Sequence, residues 1–319
     1  MSSDADTVQK SAAFQPVKKE VAEVFGYPAH STLPEARRCR VDFLCPFQRN
    51  ADGSLRRCSK VSQHFLFEQF GQQNTPFGAC SVWHRGRGGK QFRPHIICPI
   101  RFTQDRVVFL NAQSVLKDWQ SGSRYVVVEE VSLPLGRLDY VLLNYNAEDQ
   151  RILDFVILEV MALSTTTTGD IIRSLFDILG IAEPASAYRY GINLRQVVSR
   201  MVIQLVAKAH AAETWGKSTI WAIQDTLYDY MMRTTQLQLA DVQLDSPEEA
   251  GYPILFFVYH LMPDAAGKPF RLQLVGVKGG YRQDVERVLK PSSTPTLTEM
   301  KGILKKKLDA NKYIVLASF

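Results

Sequence analysis

Two stretches decide the architecture of this chain: Gly136-Arg137-Leu138-Asp139-Tyr140-Val141-Leu142-Leu143 and Asp154-Phe155-Val156-Ile157-Leu158-Glu159-Val160-Met161-Ala162-Leu163. The second is almost wholly apolar, the pattern of a strand buried on both faces of a sheet. The first reads as a strand too. Between them Asn144-Tyr145-Asn146-Ala147-Glu148-Asp149-Gln150 is rich in turn formers, so the pair predicts a hairpin. Asp139 lies near the start of one strand and Glu159 in the interior of the next. An ionised glutamate within Val-Ile-Leu-Glu-Val is costly to bury without a partner or a cation. Two carboxylates converging from adjacent strands make the oxygen-rich site that Mg²⁺ uses in phosphoryl chemistry. A solvated acid at a strand end plus a buried Glu–Arg pair is the plainer reading, and spacing alone leaves both open.

Downstream, Leu194–Ala212 carries Leu194, Val197, Val198, Met201, Val202, Leu205, Val206 and Ala209 at the spacing of an amphipathic helix, with Asn193 as its cap. A short strand at Thr219–Ile223, a helix at Asp225–Arg233 and strands at Ile254–Met262 and Phe270–Lys278 follow. A hairpin, a crossover helix and further strands predict an α/β fold with a mixed sheet flanked by helices. Upstream, Tyr125–Val128 reads as a strand running into Glu129 and Glu130. Val107-Val108-Phe109-Leu110 reads as another strand, and residues 16–26 as a short helix with Val17, Val21, Val24 and Phe25 on one side. The Lys301–Lys307 tail reads as a solvated basic helix face. No fixed-period repeat argues for a solenoid or propeller. The expected division is an N-terminal segment at 1–36, a basic cysteine-rich module at 37–101 and a catalytic domain at 102–319.

All five cysteines fall in that module: Cys39, Cys45, Cys58, Cys80 and Cys98. Residues 1–25 show no apolar core behind a charged start, which predicts an intracellular, cytoplasmic protein. There, clustered thiols point to metal rather than disulfides, and four thiolates suit zinc or iron. Cys39 is the spare in a four-ligand count. Cysteines buried simply as small hydrophobes are the alternative.

The chain carries a net charge of +6. Between Arg37 and Arg101 there are twelve Lys/Arg against three acids, Asp42, Asp52 and Glu68. The Gly-rich segment His84-Arg85-Gly86-Arg87-Gly88-Gly89-Lys90-Gln91-Phe92-Arg93 could follow a phosphate backbone through Arg85, Arg87, Lys90 and Arg93, with arginine able to bond guanine bidentately. A solvated basic face is the alternative, and solvated side chains are the simpler reading of the flanking His84 and His95. Ser164, Thr165, Thr166 and Thr167 leave the second strand as a loop whose hydroxyls could contact phosphate or bases, or merely cap the next helix, expected near Asp170 with that acid as cap. No apolar run reaches the roughly 18–20 residues of a membrane span.

The order of these motifs resembles the PD-(D/E)xK nuclease core, and the layout is similar to the NotI-like type II restriction endonucleases. The likeness runs from about Cys45 past Met231. It includes the cysteine segments, the Glu130-Val131-Ser132-Leu133-Pro134 lead-in and the Ala162–Gly169 stretch. The resemblance implies a four-thiolate site at Cys45, Cys58, Cys80 and Cys98, in that family a structural iron site near the DNA. It implies catalytic Mg²⁺ on Asp139 and Glu159, assistance from Glu130, double-stranded DNA as substrate and a homodimer matched to a palindromic site. One position departs: Met161 stands where the family has Lys or Gln, and a thioether cannot orient water as they do. Gln196, Gln204 and Lys208 on the following helix are the candidate substitutes. Failing these, the chain is a metal-stabilised DNA-binding protein with a degenerate nuclease fold. A structure-specific repair nuclease is a third reading.

Overall fold

The computed structural model describes residues 18–86, 91–244, 251–264 and 266–310. Its N-terminal part holds β1 (Val21–Val24), β2 (Tyr27–Pro28), α1 (Pro34–Val41), β3 (Leu44–Arg49), β4 (Leu55–Arg57), α2 (Phe65–Gln69), β5 (Ala79–Arg85) and β6 (Phe92–Ile96). After a 3₁₀ segment at Pro99–Arg106 come α3 (Val107–Gln113), β7 (Ser123–Leu133), β8 (Gly136–Asn146), β9 (Arg151–Met161), α4 (Thr168–Ile178) and α5 (Leu194–Trp215). The chain continues through β10 (Thr219–Gln224), α6 (Asp225–Thr234), β11 (Ala240–Asp241), β12 (Ile254–Met262), β13 (Arg271–Gly280), α7 (Arg282–Glu286) and α8 (Leu297–Asp309).

A seven-stranded sheet in the order β11-β13-β12-β10-β9-β8-β7 forms the centre. β9, β10 and β12 run parallel, while β7, β8, β11 and β13 join as antiparallel neighbours. The expected hairpin is β8–β9, with Leu142 opposite Val156. Parallel β9 and β10 need a long crossover, and α4 and α5 supply it. Alternation along the central strands sorts side chains between two cores. Ile220 and Ala222 face a cluster with Phe102, Val108 and Trp83, whereas Trp221 and Ile223 meet Val197, Met201 and Leu205 of α5.

Two expected elements differ. Of the helix expected over residues 16–26, residues 16 and 17, with Val17, lie outside the described residues, and the described part holds strand β1 instead, whose four residues are all buried. Val107–Leu110 opens helix α3: Val108 and Ala112, one turn apart, face the core while Leu110 is 60% exposed. A run of four apolar residues satisfies either period, and here one face only is buried. Helix α4 begins at Thr168 with Thr167 as cap, so Asp170 sits inside its first turn, accepting from the Arg189 N–H at 2.7 Å rather than capping.

A four-stranded sheet, β2-β1-β5-β6, carries the cysteine region, and its β1–β5 pairing crosses the expected boundary at residue 36. It is tied to the large sheet at its deepest point. Arg101, fully buried, donates to Glu23 of β1 at 2.9 Å, to Gln104 at 2.8 Å and to the Phe270 carbonyl. Among the described residues no helix is long and apolar enough to cross a membrane.

Candidate active site

Tyr140 lies opposite Leu158, so Asp139 and Glu159 occupy the next rung of the β8–β9 ladder. Asp139 is half-buried and its Oδ2 accepts the Val160 N–H at 3.0 Å, which fixes the carboxylate against the neighbouring strand. Glu159 is 2% exposed. Burial, then the charge of Asp139, push its pKa up to about 7 despite an adjacent lysine. That lysine is Lys208, from the middle of α5. Its Nζ stands 2.5 Å from Glu159 Oε2, 3.0 Å from the Arg137 carbonyl and 3.4 Å from Gln204 Oε1. Glu159 Oε1 is buried with no hydrogen-bond partner. An acceptor left open beside a second carboxylate is what a cation-binding pair offers, so these two acids fit Mg²⁺.

Met161 packs with the apolar residues against α5, where a thioether is at home. Of the three candidate substitutes, Lys208 reaches Glu159, Gln204 stands behind it, and Gln196 lines a separate cavity beside Ser164 and Thr165. A sequence signal marks Lys208: it falls on the buried stripe Met201, Leu205, Lys208, Ala212, where a lysine has no business unless paired. Glu130 lies at an irregular point of β7, with φ +56°, beside the Asp139 rung. Its exposed side chain pairs with Arg137 at 3.5 Å rather than joining Glu159.

The four expected thiols come from different elements. Cys45 on β3 faces Arg56 on β4; the Cys58 N–H donates to Phe43 at 2.8 Å; the Cys80 carbonyl accepts the N–H of Ile97 and of Cys98. Cys45, Cys80 and Cys98 are buried and Cys58 partly so. Burial pushes the Cys45 thiol up to about 12, with the charges of Cys58 and Cys98 adding to it. Cys80 is raised in the same way by burial, then by Cys98, Glu23, Cys45 and Cys58. Cys45 and Cys80 thus stand in the field of other thiols of the set. Cys39 differs, since after burial its surroundings are Arg38, Asp42, Arg40 and Glu35. As placed, however, no group of three or more His, Cys, Asp or Glu among the described residues could hold a metal ion, so the structure shows no four-cysteine metal site.

Of the expected DNA-contact residues, Arg87 and Lys90 lie outside the described residues. Arg85 lies over the Phe92 ring at 4.3 Å. Ser164 meets Arg200 of α5, Thr165 bridges to Ile192, and Thr166 exchanges two bonds with Gly191 at 2.9 Å. Thr167, at φ +54°, caps α4 through backbone geometry alone. Arg93 faces a cleft of about 1040 Å³ between the β5–β6 hairpin, α6 and the N-terminus of α5. The histidines at its floor are not solvated, as the sequence suggested: His95 is 2% exposed and His84 half-buried. Sequence reasoning missed Arg195 and Arg233 on the cleft walls and an Asp225–His260 pair at 2.6 Å. The spacing Thr226, Asp229, Tyr230, Arg233 would have shown one polar face of α6.

A large mixed sheet flanked by helices, with two carboxylates on neighbouring strands and a lysine closing on one of them, has the build of a nuclease-like α/β protein. The model of the family described as restriction endonuclease NotI matches residues 23–272, most of the chain, and the chain belongs to that family. The family's chemistry is that of a DNA-cleaving hydrolase with double-stranded DNA as its partner. No curated protein matches the chain.

Proposed function

We propose that this chain is a Mg²⁺-dependent type II restriction endonuclease that cleaves both strands of DNA at a specific, palindromic site. The observation that carries this reading is the Lys208 ammonium, delivered from α5 to 2.5 Å from Glu159. It supplies from a helix the cation that the family's pattern places on the strand, where this chain has Met161. Asp139 and Glu159 would hold Mg²⁺, which when bound lowers the pKa of water and offsets charge on the scissile phosphate. The protein's own groups do the rest. Val160 orients Asp139, the Arg137 carbonyl and Gln204 hold the lysine, and the burial of Glu159 keeps competing water from its open oxygen. Lys208 places a fixed positive charge where charge builds on the phosphate.

Cys45, Cys58, Cys80 and Cys98 are proposed to close on a structural iron or zinc ion. The mutual charges felt at Cys45 and Cys80 and the cost of ionising buried thiols without a cation support this. Metal analysis of the purified protein tests it: about one iron or zinc per chain, lost in Cys80→Ser, is expected, and a metal-free folded protein refutes it. A homodimer is proposed because a two-fold protein matches a palindrome.

The deciding experiment is digestion of unmethylated genomic DNA with Mg²⁺, with Glu159→Gln as control. Discrete fragments that vanish in the variant support restriction. DNA bound without cleavage would favour the degenerate DNA-binding protein, and cuts fixed by DNA structure rather than sequence a repair nuclease.

A further inference from the structure

The cleft of about 1040 Å³ between the β5–β6 hairpin, α6 and the start of α5 is not part of the acid pair, and its chemistry is distinct. Three arginines from three different elements line it: Arg93 from β6, Arg195 from α5 and Arg233 from α6. All three are exposed, and among the described residues none has a side-chain hydrogen bond or salt bridge. Arg93 lies in the field of Asp225 and Asp229, and Arg233 in that of Asp229, without a direct ion pair to either among the described residues. Guanidinium groups left unspent and turned into a shared concavity are donors waiting for an acceptor.

The floor is unlike a phosphate site. His95 lines the cleft at 2% exposure, and neither ring nitrogen makes a hydrogen bond of good geometry, although the His84 backbone acts on the ring. Burial holds both histidines down to about 4, so near neutrality each is an uncharged ring with one donor and one acceptor. A floor of this kind hydrogen-bonds an uncharged edge and adds nothing to the neutralisation of an anion. Asn193 and Thr226 continue the polar lining. The wall is also continuous with the loop that leaves the acid-bearing strand, because the Asn193 N–H donates to the Ser164 carbonyl at 2.8 Å.

We propose that this cleft reads base edges of the DNA duplex, guanine foremost, with Arg93, Arg195 and Arg233 as the reading donors above a His95 floor. A guanidinium matches the paired O6 and N7 acceptors of guanine in the major groove, and it is the commonest specific contact there. The inference rests on the restriction reading and deepens it: it assigns sequence choice to a surface separate from the acids, and it makes the recognition site one that contains G·C pairs.

The test does not depend on cleavage. A pool of random-sequence duplexes is bound to the Glu159→Gln protein and the retained fraction sequenced, then the selection is repeated with Arg93→Ala, Arg195→Ala or Arg233→Ala added. The parent is expected to enrich a motif containing guanine, and each arginine variant to relax the choice at particular guanine positions by about 5- to 100-fold while binding unrelated DNA nearly as well. Weaker binding to every sequence with an unchanged motif, and a salt dependence reduced by about one counterion per arginine, would show phosphate contacts and overturn the inference. An unchanged motif with unchanged affinity overturns it too. Either result leaves the restriction reading standing, provided the parent still selects a motif. A parent protein that binds no DNA at all removes both.

Discussion

Under the proposed function, Lys208 keeps the chemistry of the site while moving its source from the strand to the facing helix. The strand position that would carry the amine is Met161, and that side chain has joined the apolar layer against α5. The amine arrives instead from the facing helix and meets Glu159 from the other side of the same layer. Lys208→Met is therefore expected to lower the cleavage rate by about 100- to 1000-fold, the usual effect of losing one fixed donor at a developing charge, while gel-shift affinity for the same DNA stays close to that of the parent. Cleavage at the parent rate would return Lys208 to a structural role. The acids themselves were legible in the sequence because each breaks an apolar run. Lys208 was only one of three named candidates, since a helix wheel gives its face but not its neighbour across the layer. His30 allows a separate check. Its bond to Glu20 raises its pKa, burial and Arg40 oppose this, and Glu20 and Asp177 add to it electrostatically. A histidine raised in the fold stabilises fully below its unfolded value and loses that contribution as pH rises through the folded one. The melting-temperature gap between the parent and His30→Gln should therefore be wider at about pH 6 than at about pH 8.5. An equal gap at both would remove the pair from the stability balance.

At the scale of elements, the ones read correctly are those whose period had a single solution. β9 is apolar apart from Arg151, Asp154 and Glu159 and lies between β8 and β10; α5 repeats its apolar residues over six turns' worth of chain and starts at the expected Asn193, whose Oδ1 accepts the Gln196 N–H at 3.2 Å. The misread elements are short. Val107–Leu110 has too few residues to separate a period of two from one of 3.6, and β1 gains its strand identity from pairing with β5, a partner far along the chain. Because α5 carries Lys208, its first turn also bears on the site. Asn193→Ala is expected to cost about 1 kcal/mol through the lost cap, read as a lowered denaturation midpoint with an unchanged slope. Gly78 is a sharper case. It sits at φ +67°, and a Cβ there would fall 2.6 Å from the Phe25 ring, beneath the strand that brings Cys80 to its neighbours. Gly78→Ala combines overpacking with backbone strain, and a loss of about 2–4 kcal/mol is expected; a neutral result in a denaturant melt would mean that Phe25 can swing away.

For the whole molecule, the question is how the cysteine-bearing sheet is held to the one that carries Asp139 and Glu159, since the proposed recognition surface and cleavage site would have to keep a fixed spacing to cut at a fixed position. The cleft answers part of this, because its walls come from both sheets' connections: the β5–β6 hairpin on one side, α5 and α6 on the other. Gln224, at the end of β10, adds a second tie by accepting from the Ile96 N–H at 2.9 Å and donating to the Pro94 carbonyl at 2.7 Å. The third is the Arg101–Glu23 pair, with Ser81 donating to Glu23 at 2.7 Å. Both charges are fully buried, so each is tolerable only while the other is present. Arg101→Met should then cost about 3–5 kcal/mol because Glu23 is left charged in an apolar setting. Arg101→Met combined with Glu23→Leu should recover most of that loss, as apolar replacement of both partners often does. Denaturant melts of the two variants give the stability comparison. If the double variant is stable yet cuts at scattered positions on DNA the parent cuts at one, the pair's contribution is to geometry rather than to stability. A double variant as unstable as the single one would show instead that Gln104 and the Phe270 carbonyl, both served by the same guanidinium, need it as much as Glu23 does.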